Sequence, residues 1–191
     1  MEKTRDARTR ALETAERLFR TQGFAATGLT QILDESGSPK GSFYFHFPDG
    51  KQQLAREVLD IYGNRVRAGL AMLAEKHPGD PSGYVRTVAK TMAKEMEASG
   101  WALGCAAQNL ANELAPGDPE FADAAAKVFG GWIAVITDAI KPSYPSRAIA
   151  ERRATALLAA LEGAKTLART MRSAAPFDAV IDMMMPELRR A

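Results

Sequence analysis

Apolar residues recur at helical spacing along this chain, and glycine and proline punctuate them. From Thr4 to about Gln22 the stripe is Ala7, Ala11, Ala15, Leu18 and Phe19, one face of an amphipathic helix. Gly23 follows, where a left-handed C-terminal cap belongs. Phe24 is placed to plug the core of a small domain. A short second helix is expected from about Gly28 to Ser36, burying Leu29, Ile32 and Leu33, with Thr27 as its cap. Gly37 ends it in a turn needing positive φ. Ser38-Pro39 reads as a hydroxyl N-cap followed by proline at the first helical position. The third helix then stops by Phe47, because Pro48-Asp49-Gly50 breaks it.

A long fourth helix, about Gly50 to Lys76, turns Leu54, Val58, Ile61, Tyr62, Val66 and Leu70 inward. After the break at His77–Gly83 the period stays helical, predicting helices near 82–98, 104–115, 118–141, 146–173 and 176–189. No alternating strand pattern competes with this reading. The fold class predicted is all-α: a three-helix helix-turn-helix domain over 1–50, followed by a helical ligand-binding and dimerisation domain over 51–191.

Composition changes this picture little. The chain has 191 residues, long for one small domain and short for two large ones, with 46% hydrophobic residues, enough for a real core. Aromatics are 7% and alanine is abundant, favouring close-packed helices. Net charge is +2, and the first 51 residues hold eight Lys/Arg (3, 5, 8, 10, 17, 20, 40, 51) against seven acids (2, 6, 13, 16, 34, 35, 49). Any nucleic-acid footprint must therefore come from arrangement and not from bulk charge.

Cys105 is the only cysteine, which excludes an intramolecular disulfide and a thiolate metal cluster and predicts a buried, inert thiol. His46 and His77 are the only histidines, so no histidine-rich metal site can form, and neither a metal nor a cofactor is expected. The charged N-terminus and the lack of a long apolar run predict a cytoplasmic protein.

The third helix carries the informative anomaly. With Lys40 at zero and about 100° per residue, Phe43 and Phe47 share one face as core contacts. Gly41, Ser42 and Phe45 fall on the opposite face, His46 lies at its margin, and Tyr44 and Lys40 flank the core side. An apolar ring facing outward can pack on thymine methyls in a major groove, and a hydroxyl can bond base edges. Lys40, Gly41, Ser42 and Phe45 are thus candidates for base contacts, with Gly41 removing a side chain that would hold the helix off the groove. Thr27, Thr30, Tyr44, His46 and Lys51 have the chemistry for phosphates, Lys51 beside the N-terminal donors of helix four. The plain alternative makes Phe45 a fourth core aromatic.

Phe24, Thr27, Ile32, Gly37, the run Lys40-Gly-Ser-Phe-Tyr-Phe-His-Phe47, Lys51 and Leu54 together resemble the tetracycline-repressor (TetR) family of bacterial regulators. The likeness is close over residues 7–60. Pro48-Asp49-Gly50 is one residue longer than the commonest family form. That extra residue resembles the LmrA/YxaF-like branch, as do Gly104-Cys105 followed by Asn109-Leu-Ala, and Leu161-Glu-Gly-Ala164.

The resemblance implies a homodimeric repressor that reads a palindromic operator with its N-terminal helices and binds a small inducer in its C-terminal domain. It also implies dimerisation through the last two long helices. Leu157, Leu161, Ala164, Leu167 and Met171, with Val180 and Met184, are the residues expected at that interface. An ordinary helix pair within one chain is the alternative. Tyr62, Met92, Met96, Trp101, Phe129 and Trp132, with Phe121 and the polar Gln108 and Asn109, are candidates for a pocket suited to a lipophilic or aromatic effector. An enzyme finds no support: there is no metal-ligand spacing, no glycine-rich phosphate loop and no nucleophile–base pair. A helical adaptor or ligand carrier is the other rival, and it would not bind DNA at low salt.

Overall fold

The computed structural model describes residues 6–188, and within them the chain is helical without a strand. Its elements are α1 (Ala7–Gln22), α2 (Leu29–Ser36), α3 (Lys40–His46), α4 (Gly50–Glu75), α5 (Pro81–Ala98), α6 (Ala106–Leu114), α7 (Pro119–Ile140), a 3-10 turn (Lys141–Ser143), α8 (Arg147–Met171) and α9 (Ala175–Leu188). The all-α expectation holds, and most breaks fall where proline and glycine stand; the α8–α9 break does not, since it turns on a left-handed Arg172 (φ 48°) and leaves Pro176 inside α9. Thr4, expected to open the first helix, and residue 189, expected to end the last, lie outside the described residues.

The chain divides into two compact units, Met1–Gly63 with Cys105–Val128, and Asn64–Gly104 with Phe129–Ala191. In the first, α1 packs on α2, α3 and α6. Leu18, Phe19, Ile32, Phe43, Phe47 and Leu54 are all sealed from solvent there. In the second, α5, α8 and α9 pack on one another. Phe177, Ile181 and Met184 of α9 and Ala154, Leu157, Leu161 and Ala168 of α8 are all buried there. Helix α8 also carries Glu162, whose Oε1 lies 3.5 Å from the Lys165 ammonium, both side chains about nine-tenths buried.

Several caps differ from expectation. Thr27 does not cap α2: Gly28 is the N-cap and makes no side-chain bond, while the Thr27 hydroxyl is buried and donates to Gly23 O at 2.6 Å. Ser38 does not cap α3 either. Pro39 takes that position, and the Ser38 hydroxyl donates to Ala7 O at 3.2 Å, tying the turn to α1. Ser38 thus serves a tertiary carbonyl, and Thr27 a carbonyl one turn back in its own loop, in place of the helix amide.

Gly37 is left-handed at φ 61° and donates to Leu33 and Asp34 carbonyls, as a tight turn requires. Gly23 has positive φ (85°) but extended ψ (178°), so α1 does not close in a left-handed cap. Phe24 is half-buried, a lid on Phe19 at 5.7 Å between ring centroids and not a plug. Ile61, expected inward, is exposed, because α4 turns Leu54, Val58 and Tyr62 to the interior instead.

Candidate nucleic-acid interface

The helix-turn-helix is α2, the Gly37–Pro39 turn and α3. Helix α3 has only seven residues, too few to persist by propensity alone, so tertiary packing holds it. Phe43 and Phe47 are sealed in the core with ring centroids 5.0 Å apart, and Tyr44 packs edge-on to Phe43. On α1, Arg10 donates to Ser36 O at 2.8 Å and Gly37 O at 3.3 Å, satisfying carbonyls at the end of α2. Arg17 and Glu35 form a further ion pair between α1 and α2. Sequence reasoning missed both arginines, because contacts between residues 18–27 apart leave no local spacing signal.

The outward face of α3 is that of the predicted base-reading set. Phe45 is 82% exposed, the most exposed of the large apolar side chains, which disposes of the reading that made it core. Lys40 and Gly41 are exposed and Ser42 is half-exposed beside them. A Cβ built on Gly41 would meet nothing within 4 Å. No internal contact therefore demands glycine at this helical position, where it costs roughly 0.5–1 kcal/mol against alanine. Tyr44 is 42% exposed, Thr30 is exposed and His46 half-buried.

Two expected phosphate contacts are placed differently. The enclosed Thr27 hydroxyl is committed to Gly23 and presents nothing outward. The Lys51 ammonium donates to Phe24 O and Thr27 O, each at 2.9 Å, and lies 3.9 Å from the centroid of the Phe24 ring. Burial pulls the Lys51 pKa down and Glu113 opposes the shift. Lys51 thus staples the α1–α2 loop, since carbonyls that lack helical partners attract the nearest ammonium.

The expected effector residues fall in both units. In the first, Tyr62 is buried with the Arg20 guanidinium 5.4 Å from its ring centroid, and Gln108 is half-buried. Asn109 donates its amide to Phe19 O at 2.8 Å, so its polar group is engaged by α1. In the second, Met96 and Trp132 are buried, Met92, Trp101 and Phe129 are half-buried, and Phe129 and Trp132 meet edge-to-face at 5.3 Å.

Of the expected dimer residues, Leu157, Leu161, Ala164, Val180 and Met184 are buried within the single chain and cannot meet a partner as they stand. Only Leu167 (55%) and Met171 (59%) remain exposed, joined by Met183 (56%), which the helical stripe did not single out. Among the described residues no cluster of metal-ligating side chains occurs, and no helix is long and apolar enough to cross a membrane.

Known proteins share this plan. Residues 11–58 match the family model for bacterial regulatory proteins of the tetR family, and residues 81–183 match that for the C-terminal domain of LmrA/YxaF-like transcriptional regulators. The chain is 31% identical over 171 residues to the HTH-type transcriptional regulator LmrA of Bacillus subtilis, covering 90% of each protein. It is 32% identical over 171 residues to the uncharacterized HTH-type transcriptional regulator YxaF of the same organism, covering 90% of this chain and 89% of that one. In fold it is similar to a TetR transcriptional regulator from Legionella pneumophila, with a TM-score of 0.86 over 97% of this chain and 98% of that one at 17% identity. With both halves matched, the chain belongs to the tetR family of DNA-binding, helix-turn-helix transcriptional regulators, in its LmrA/YxaF-like branch.

Proposed function

We propose that the protein is a cytoplasmic repressor, not an enzyme, that binds a palindromic operator as a homodimer and leaves it when a small lipophilic or aromatic effector binds. The carrying observation is the pairing on α3 of an 82% exposed Phe45 with a Gly41 that has open space before it. Phe45 packs on thymine methyls, while Ser42 and Lys40 bond base edges and Gly41 lets the backbone approach. Thr30, Tyr44 and His46 hold phosphates, and α2, whose N-terminus lacks a side-chain cap, offers its first-turn amides. Two copies related by a twofold axis place two such helices in successive major grooves about one turn apart. Leu167, Met171 and Met183 are the apolar side chains free to meet the second copy.

The DNA reader corresponds to residues 1–50 and the effector and dimer domain to 51–191. The effector is met within the second unit by Met92, Trp101 and Phe129, which are half-buried there, with Met96 and Trp132 as its buried members. Its binding favours a dimer geometry that no longer matches the operator spacing, with α4 as the connecting element. Release then requires a coupling of about 1–3 kcal/mol between the two sites. The test is selection of tight-binding sites from random duplex DNA at moderate salt. Enrichment of a palindrome is expected, and no enrichment by folded, dimeric protein sinks the reading in favour of an adaptor or ligand carrier.

A further inference from the structure

The stretch matched to the DNA-binding family model ends at residue 58, yet the compact unit containing it also takes in Cys105–Val128. The contribution of α6 to that unit is chemically specific. Asn109 Nδ2 donates to the carbonyls of Phe19 (2.8 Å) and Arg20 (3.4 Å) in the last turn of α1. One turn further along α6, Glu113 accepts the backbone amides of Phe24 at Oε1 (2.8 Å) and Ala25 at Oε2 (2.6 Å). The i,i+4 spacing places both side chains on one face of α6.

These bonds answer a local need. A helix leaves its last carbonyls without partners, and a left-handed cap normally supplies the missing donors. Gly23 leaves α1 with extended ψ, so the chain does not fold back in that way: its own amide reaches Phe19 O at 3.3 Å, and Asn109 adds a second donor there and reaches Arg20 O as well. The loop is then gripped from two sides, its amides by the Glu113 carboxylate and its carbonyls by the Lys51 ammonium. Space is used up as well: a Cβ on Gly23 would collide with Glu113 Oε1. The gripped loop leads directly into α2, the first helix of the helix-turn-helix.

We propose that Asn109 and Glu113 are positioning residues for DNA recognition: they set the α1–α2 loop, and through it the placement of α2, without touching DNA. The DNA reader is therefore incomplete without a side-chain pair more than sixty residues beyond the helix-turn-helix. Operator affinity depends on α6 even where every base-facing residue is intact. This inference rests on DNA binding by the family-typical head and not on the effector reading.

The test compares wild type with N109A, E113A and E113Q in the full-length chain. Amide hydrogen exchange is read at Phe24 and Ala25, and affinity is read for a selected operator and for non-specific duplex over a salt series. E113A is expected to lose protection at both amides and about tenfold in operator affinity, the equivalent of one net hydrogen bond. The salt slope should stay as in wild type, because no phosphate contact is removed. E113Q keeps one good acceptor oxygen and should fall between, and N109A should behave like E113A in affinity alone. Wild-type operator affinity in E113A, even with a lowered melting temperature, overturns the proposal by reducing Glu113 to a stabilising residue. A changed salt slope overturns it by making Glu113 part of the charge balance with DNA. If wild type selects no operator, the regulator reading fails, and unaltered exchange at Phe24 and Ala25 still overturns the clamp independently.

Discussion

Helix α3 and helix α8 both leave large apolar side chains in water, and they do so for different reasons. On α3, Phe45 projects at 82% exposure from a helix whose opposite face is filled by Phe43 and Phe47. On α8, Leu167 and Met171 stand 55% and 59% exposed on a helix whose other leucines are buried. Helix α3 offers few inner faces, and once Phe43 and its C-cap Phe47 are seated in the core the outer face follows. The 25-residue α8 is rich in alanine and leucine nearly all the way round, and its apolar residues do not say which of them face α9. The same chemistry is informative on a short helix and ambiguous on a long one.

The sharpest way to break this comparison is to cut an inner and an outer leucine on α8. Leu161→Ala should destabilise the protein by about 2–5 kcal/mol through a core cavity. Leu167→Ala should leave unfolding at low concentration within about 0.5 kcal/mol of wild type and weaken self-association. Denaturant melts and sedimentation read the two effects, and equal destabilisation would mean that the α8 faces are misassigned.

On α3 the prediction reverses the usual order of stability and function. Phe45→Ala should lose about 1–3 kcal/mol of operator binding and relax base preference, with little change in melting temperature. Phe43→Ala is its control and should unfold the head. A Phe45→Ala protein that binds its operator normally removes Phe45 from the interface.

Gly41→Ala sharpens the same face more finely. The added methyl meets open space, so stability should rise by about 0.5–1 kcal/mol while operator affinity falls. A variant that gains stability and keeps affinity shows that glycine is not there for DNA.

The smallest effect separates the regions by pH. Asp6 accepts the Thr9 amide at the start of α1, and Asp118 accepts the Phe121 amide ahead of α7 and pairs with Arg56 at 2.7 Å. Amide hydrogen bonds first, and Arg56 for Asp118, hold both carboxyls below their ordinary pKa. Depressed carboxylates stabilise the fold above their unfolded pKa of about 3.9, and that contribution disappears as pH falls below it. Helix α8 is capped by the Ser146 hydroxyl, which does not titrate in this range. Protection from hydrogen exchange, taken relative to the intrinsic rate at each pH, should therefore fall from pH 6 down to about pH 3 in the first turns of α1 and α7 before that of α8. Simultaneous loosening would place the acid-sensitive groups elsewhere.

Much of the fold was legible because its helix boundaries are chemical. Proline or glycine stands within a residue or two of most helix ends, as at Gly37 and Pro48–Gly50, and Pro81 opens α5; α8 is the exception, ending at Met171 on a left-handed Arg172 with Pro176 inside α9. The outward face of α3 was legible as well, being dictated by the Phe43–Phe47 pair. Hydrogen-bond partners were not. Thr27 and Ser38 have the chemistry of N-caps, but Thr27 donates back to Gly23 O within its own loop and Ser38 to Ala7 O, brought near by tertiary folding. Asn109 has the chemistry of a ligand contact and serves the end of α1, 90 residues away in sequence.

The sequence by itself determined the all-α class, the punctuation of the helices, the family and the residues that α3 turns outward. Each depends on backbone propensity or on neighbours within about one helical turn. Tertiary structure alone decided that Lys51 grips the α1–α2 loop, that Glu113 holds its amides, and that Leu157 and Leu161 lie inside while Leu167 lies outside. A polar hydrogen takes the best acceptor within about 3 Å, and an apolar face takes whichever neighbour seals it. Both choices depend on residues distant in the chain, and no local period records them.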